Sequence, residues 1–144
     1  MIVLDANPLL YAYDESSPHH SEAKVWLASI LTVPNPVGLP WLTVWAFLRI
    51  ATNPRIFVNP LEMRVALEVV QTWLDRPQVR LLNPTERHWS ALQRMLIDGD
   101  IRGVRTSDAV LAALTIEYGG ILQTMDRDFA RFPGLRWVNP LQKP

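Results

Sequence analysis

Ile2, Val3 and Leu4 form a short apolar run that stops on a carboxylate, Asp5. A run that brief, bounded by polar residues, reads as a buried strand over 2–5. The pattern then changes period. "NPLLYAYD" reads as a helix, with Asn7 as N-cap and Pro8 in the first turn. "SPHHSEAKVWLASIL" places Ala23, Trp26, Leu27, Ile30 and Leu31 on one helical face. "PVGLP" is a second short strand, and "WLTVWAFLRIAT" is a helix that stops before Pro54. "PLEMRVALEVVQTWL" carries a stripe of Leu61, Val65, Leu67, Val69, Trp73 and Leu74. "VRLL" is a strand, and "PTERHWSALQRMLID" a helix with Pro84 near its start. "DGDIRGVR" is a loop. "TSDAVLAALTIEYGG" is a helix capped by Thr106 or Ser107 and stopped by Gly119 and Gly120. "ILQTMD" is a strand, "RDFARF" a helical turn, and "LRWVNP" a last strand.

Strands thus alternate with helices along the whole chain. That alternation predicts an α/β fold, a central parallel β-sheet flanked by α-helices in three layers. In such sheets ligands sit beyond the carboxyl ends of the strands. The 12 prolines are dispersed and mark element ends, not a linker. No repeat or low-complexity segment interrupts the pattern, so residues 1–144 are expected to form a single domain.

Composition narrows the chemistry. Hydrophobic residues make up 49% of the chain, enough for a real core, yet no run approaches the ~18 residues of a membrane span. The start lacks a basic, long-apolar leader, so a cytoplasmic protein is the expectation. The absence of cysteine excludes disulfides, thiolate metal sites and a Cys nucleophile. Net charge is +0, which argues against a broad basic face but not a local one. Only 2 of the 14 basic residues are Lys, and Arg is the side chain that grips phosphate bidentately. Arg49, Arg55, Arg102 and Arg105 are the candidates for phosphate contacts; Arg102 and Arg105 flank the loop that leads to Asp108. Solvated surface or partner ion pairs are the alternative.

The aspartates carry the strongest signal. Asp5 and Asp126 each end a strand, and Asp108 opens a helix just after a loop. In a parallel sheet all three fall on one edge. Each lies near a helix start, where Asp also serves as a cap. Together they would repel one another and raise each other's pKa. A hard divalent cation, Mg²⁺ or Mn²⁺, removes that conflict, takes oxygen ligands and bridges to phosphate. This is the chemistry of metal-dependent phosphodiester hydrolysis. Asp128, two residues on, is expected to join a metal, hold a water or cap the turn.

"IVLDAN", "FLRIATNPRIF", "TSDAVLAAL" and "LQTMDRDFARFPGLRWVNP", in that order, resemble the PIN domain of VapC-type toxin ribonucleases. The resemblance spans essentially the whole chain. It implies a PIN-domain fold and an Mg²⁺- or Mn²⁺-dependent endoribonuclease, the toxin of a type II toxin–antitoxin system. It implies an RNA substrate, a VapB-type antitoxin partner and a homodimer. Asp5, Asp108 and Asp126 match the family's catalytic metal-binding acids. Asn7 is expected to hydrogen-bond Asp5, and Thr124 to do the same for Asp126.

One position departs. Many PIN domains carry a Glu where this chain has Ala46. Thr43, one turn earlier, is neutral and a poor ligand. The site must then work with three carboxylates, Asp128 and water, or the chain is a PIN-fold module that binds RNA without cutting it. A phosphoaspartate enzyme built on Asp5 fits less well, because no second acid follows two residues later. His19, His20 and His88 lack ligand spacing. Trp26, Trp73 and Trp89 are expected in the core; Trp41 and Trp45 in core or dimer contact, with RNA base stacking as the alternative.

Overall fold

The computed structural model describes residues 1–142. Five strands form one fully parallel sheet in the order β3-β2-β1-β4-β5. They are β1 (Ile2–Leu4), β2 (Val37–Pro40), β3 (Val79–Leu82), β4 (Ile121–Gln123) and β5 (Trp137–Val138). The six helices are α1 (Ala6–Tyr11), α2 (His20–Thr32), α3 (Trp41–Ala51), α4 (Met63–Leu74), α5 (His88–Asp98) and α6 (Thr106–Glu117). Short 3₁₀ turns occupy Gly103–Arg105 and Arg127–Arg131.

Adjacent residues of β1 face opposite ways, and both faces are covered. Leu4 packs with Val37 and Leu39 of β2 and with buried side chains of α1 to α4. Val3 packs with Leu122 of β4 and with Ala91, Met95, Ala109 and Ala112 of α5 and α6. Two cores therefore sandwich the sheet, the three-layer arrangement expected of a parallel sheet without a solvent face. The chain steps outward from β1 to β3, then crosses back so that β4 lies on the other side of β1. The gap between the carboxyl ends of β1 and β4 is the switch point where such sheets bind ligands.

Gly119, at φ 62°, ends α6 in a left-handed turn. Gly120 N donates to Thr115 O at 2.9 Å and Gly119 N to Ile116 O at 3.0 Å, the Schellman pattern. This closure delivers the chain directly into β4.

Several boundaries differ from the sequence reading. Asp5, not Asn7, caps α1, accepting from Ala6 N at 2.7 Å. Arg105, not Thr106 or Ser107, precedes α6, because the Gly103–Arg105 turn runs straight into it. The stretch 84–87 before α5 is not helical: Pro84 and Thr85 are irregular, and Glu86 and Arg87 form a turn. The buried stripe of α4 is Ala66, Val70 and Trp73, one position away from the reading that placed Val65 and Leu67 inside; both are exposed. A small residue, Ala66, faces the core, and an apolar count overlooks it.

Candidate active site

Asp5 leaves β1 at the switch point. Its backbone N donates to Gln123 O at 3.1 Å, which sets it beside the end of β4. Its carboxylate accepts from Ala6 N and from the Thr124 hydroxyl, each at 2.7 Å. Thr124 is completely buried, and its hydroxyl also accepts from Asp126 N at 3.1 Å. One hydroxyl thus ties the Asp5 carboxylate to the Asp126 backbone. The sequence reading paired Thr124 with Asp126; the link runs through the main chain of Asp126 and the side chain of Asp5. Asn7 does not bond Asp5. Its Oδ1 accepts from Met125 N at 3.3 Å, which pins the loop after β4 to α1. Asp126 Oδ1 accepts from Asp128 N at 2.9 Å and caps the second 3₁₀ turn.

Asp108 enters from the first turn of α6. Burial raises its carboxyl above the ordinary range, and the charge of Asp126 raises it further. Burial likewise raises Asp5, and Asp108 and Asp126 add repulsion, against the lowering effect of the Thr124 and Ala6 hydrogen bonds. Asp5, Asp108 and Asp126 therefore sense one another across the switch point. Among the described residues, no three acidic, histidine or cysteine side chains are drawn into a tight ready-made ligand set. The donors gathered here are oxygens only. Such a set suits a hard divalent ion that keeps several waters, and does not suit a soft one.

Arg105 supplies the local cation. Its guanidinium lies 3.4 Å from Asp108 and 2.5 Å from Asp128. Asp128 is more than half exposed and faces Arg105, so its charge is already answered by an arginine. The i,i+3 spacing of Arg105 and Asp108 was visible in the sequence; the link to Asp128 was not. Arg49 and Arg102 are exposed.

A cleft of ≈ 400 Å³ opens beside the carboxylates, lined by Asp5, Asn7 and Asp108 on one side and by Leu42, Trp45, Ala46 and Arg49 of α3 on the other. Ala46 forms part of its wall, at the position where an acid was expected from the family pattern. Thr43 also lines the cleft, but its hydroxyl is already committed. It is buried, and its hydroxyl donates to Leu4 O at 2.7 Å. Trp73 is buried and Trp26 packs on the core, as read from sequence. Trp89 is not in the core: it is 69% exposed. Trp45 is 62% exposed on the cleft rim, outside the core. Of the places read for Trp45 from sequence, this rules out the core. A larger groove of ≈ 520 Å³ lies between α2 and the C-terminal segment, but none of the four aspartates lines it.

Residues 2–135 match the family model described as the PIN domain, so the switch-point carboxylates belong to a PIN-domain protein. The chain belongs, within that family, to the VapC ribonucleases. It is 40% identical over 140 residues to Ribonuclease VapC37 of Mycobacterium tuberculosis, covering 97% of each chain. Its fold matches VapBC2 from Rickettsia felis, solved bound to a promoter DNA fragment. The TM-score is 0.71 at 15% identity, over 96% of this chain and 98% of that one. It also matches Mycobacterium tuberculosis VapC20, described as a sarcin-ricin loop cleaving toxin. There the TM-score is 0.68 at 19% identity, over 94% and 99%. No helix among the described residues is long and apolar enough to cross a membrane.

Proposed function

We propose that this chain is a Mg²⁺- or Mn²⁺-dependent endoribonuclease and the toxin half of a toxin–antitoxin pair. The observation that carries the reading is the convergence of Asp5, Asp108 and Asp126 at the switch point, with Asp5 and Asp108 raised by burial and mutual repulsion. These three carboxylates would hold the ion, which when bound supplies charge neutralisation at phosphate and lowers the pKa of water.

The remaining work falls to the chain's own groups. Thr124 holds the Asp5 carboxylate in one orientation. Arg105, paired with exposed Asp128, can exchange that partner for a phosphate at little cost, since solvent screens exposed ion pairs and leaves them weak. Arg49 lines the same cleft and offers a second phosphate contact. No side-chain nucleophile is needed: water attacks phosphorus, the bond to the leaving oxygen breaks, and that oxygen takes up a proton.

The partner half of the proposal is supported by the VapBC likeness and by exposed apolar side chains such as Val58 and Ile97, 73% and 79% exposed. A VapB-type antitoxin and a second copy of the chain are the proposed occupants of such surfaces. Cleavage of a structured RNA in Mn²⁺ tests the enzyme reading. Wild type is expected to cut, and Asp5→Asn to be slower by at least about 100-fold. Equal activity in the two overturns it. Ala46 favours a second reading, RNA binding without cleavage; RNA affinity with no detectable Mn²⁺ binding at millimolar concentration would support that one.

A further inference from the structure

Helix α3 has two apolar stripes. Val44, Phe47 and Ala51 face the core. Leu42, Trp45, Ala46, Arg49 and Ile50 follow the i, i+3, i+4, i+7, i+8 rule on another side, and all five line the cleft beside Asp5 and Asp108. Leu42, Ala46 and Ile50 are half-buried and also pack against the cores, so the exposed members of this side are Trp45 and Arg49. Here it presents an indole that is 62% exposed, next to an alanine and one turn from a cation. Trp45 and Arg49 are an i,i+4 pair, about 5–6 Å apart at Cβ.

We infer that this stripe is a nucleobase subsite, which takes one unpaired base of single-stranded RNA next to the phosphate at the carboxylates. The inference rests on the ribonuclease reading above and goes beyond it by naming the part of the substrate and the residues that hold it. Trp45 offers the ring on which the base stacks. Arg49 reaches a neighbouring phosphate. Ala46 keeps the wall short and uncharged, where a carboxylate would fill the space and repel the backbone. The charges fit this occupant. The carboxylates suit a cation-bridged phosphate, and the arginine that lines the same cleft suits a neighbouring phosphate. The aromatic ring on the wall suits a base, since every base has a π-face. The volume, ≈ 400 Å³, falls in the ordinary range of small-ligand sites.

The test uses full-length protein in EDTA, so that the RNA stays intact, and a fluorescein-labelled single-stranded RNA scanned with single abasic positions. Anisotropy is expected to show one position where removing the base weakens wild-type binding about tenfold. Trp45→Ala should weaken binding of the intact RNA by a similar factor and erase the effect of the abasic position, while Trp45→Phe keeps part of it. Mn²⁺ titration of Trp45→Ala should match wild type. Base-removal effects that are the same in wild type and Trp45→Ala overturn the subsite, as does the absence of any base-dependent position. Unchanged RNA binding combined with a change of oligomeric state in Trp45→Ala also overturns it, and gives this face to a protein partner. Failure of the ribonuclease reading looks different: the Trp45-dependent base effect persists, but wild type and Asp5→Asn leave the RNA equally intact in Mn²⁺.

Discussion

Thr124 sits where two carboxylate-bearing loops meet, and its hydroxyl is fully used. It donates to Asp5 Oδ2 and accepts from Asp126 N. A buried hydroxyl with both bonds made fixes the orientation of its partners. Thr124→Val keeps the volume and removes the bond. It leaves the Asp126 N–H without its acceptor and frees Asp5 to rotate, at a cost of about 1–2 kcal/mol in stability. Partners that orient metal-holding carboxylates cost ~10–100-fold when lost. Mn²⁺-dependent cleavage by Thr124→Val is therefore expected to fall by about that factor, with Thr124→Ser close to wild type; urea titration checks the stability term. Activity unchanged in Thr124→Val would show that Asp5 needs no such support. Asp5, Asp108 and Asp126 were legible as a group because parallel strands send their ends to one edge. The hydrogen bonds of Thr124 and Asn7 were not legible, because they depend on which atoms meet across 119 and 118 residues of chain.

Helix α5 shows how one element borrows its anchor from another. Its N-terminus has no side-chain cap of its own. Glu117, at the end of α6 and buried, accepts from Thr85 N at 3.0 Å and from the Thr85 hydroxyl at 2.7 Å. His88 Nδ1 lies 2.6 Å from its other oxygen, and the Arg87 guanidinium donates to the Glu117 carbonyl. A single carboxylate thus organises the whole entry to α5. Glu117→Ala would orphan Thr85 N and the Thr85 hydroxyl in a partly buried site, a loss of about 1–2 kcal/mol by chemical denaturation. Glu117→Gln keeps the oxygen that Thr85 uses and is expected to lose less than half of that. Equal losses would mean that the charge, not the hydrogen-bond geometry, holds the junction. Sequence pattern gave no hint of this: "PTERH" reads as helix because nothing local marks the turn, and its organiser lies 32 residues away. In α3 the sequence left Trp45 between core or dimer contact and base stacking, and only the packed molecule puts it on the cleft wall, outside the core.

At the scale of the molecule, the fold gathers acidic groups at the switch point and sets Arg105, with a weaker contribution from Arg131, against them. That leaves a pH-dependent strain. Asp5 and Asp108 bind protons more tightly in the folded chain than in the unfolded one, where the carboxyl value is 3.8. Between 3.8 and the raised values the native state carries more protons, so stability falls as pH rises through that window and then levels off. Above the window both groups are ionised and partly unanswered. A divalent cation that binds the ionised set reverses the loss, and its grip strengthens with pH because protons compete for the same oxygens. With free Mn²⁺ at ten times its dissociation constant, mass action adds about 1.4 kcal/mol. For a chain of this size that is a rise in Tm of roughly 5 °C. The expected result of a melting series is a rise near that size at pH 7 and a smaller one at pH 5. Asp108→Asn should melt higher than wild type in EDTA at pH 7, because one repelling charge is gone, and should respond less to Mn²⁺. A wild-type Tm indifferent to Mn²⁺ at both pH values would mean that the switch-point carboxylates hold no such ion.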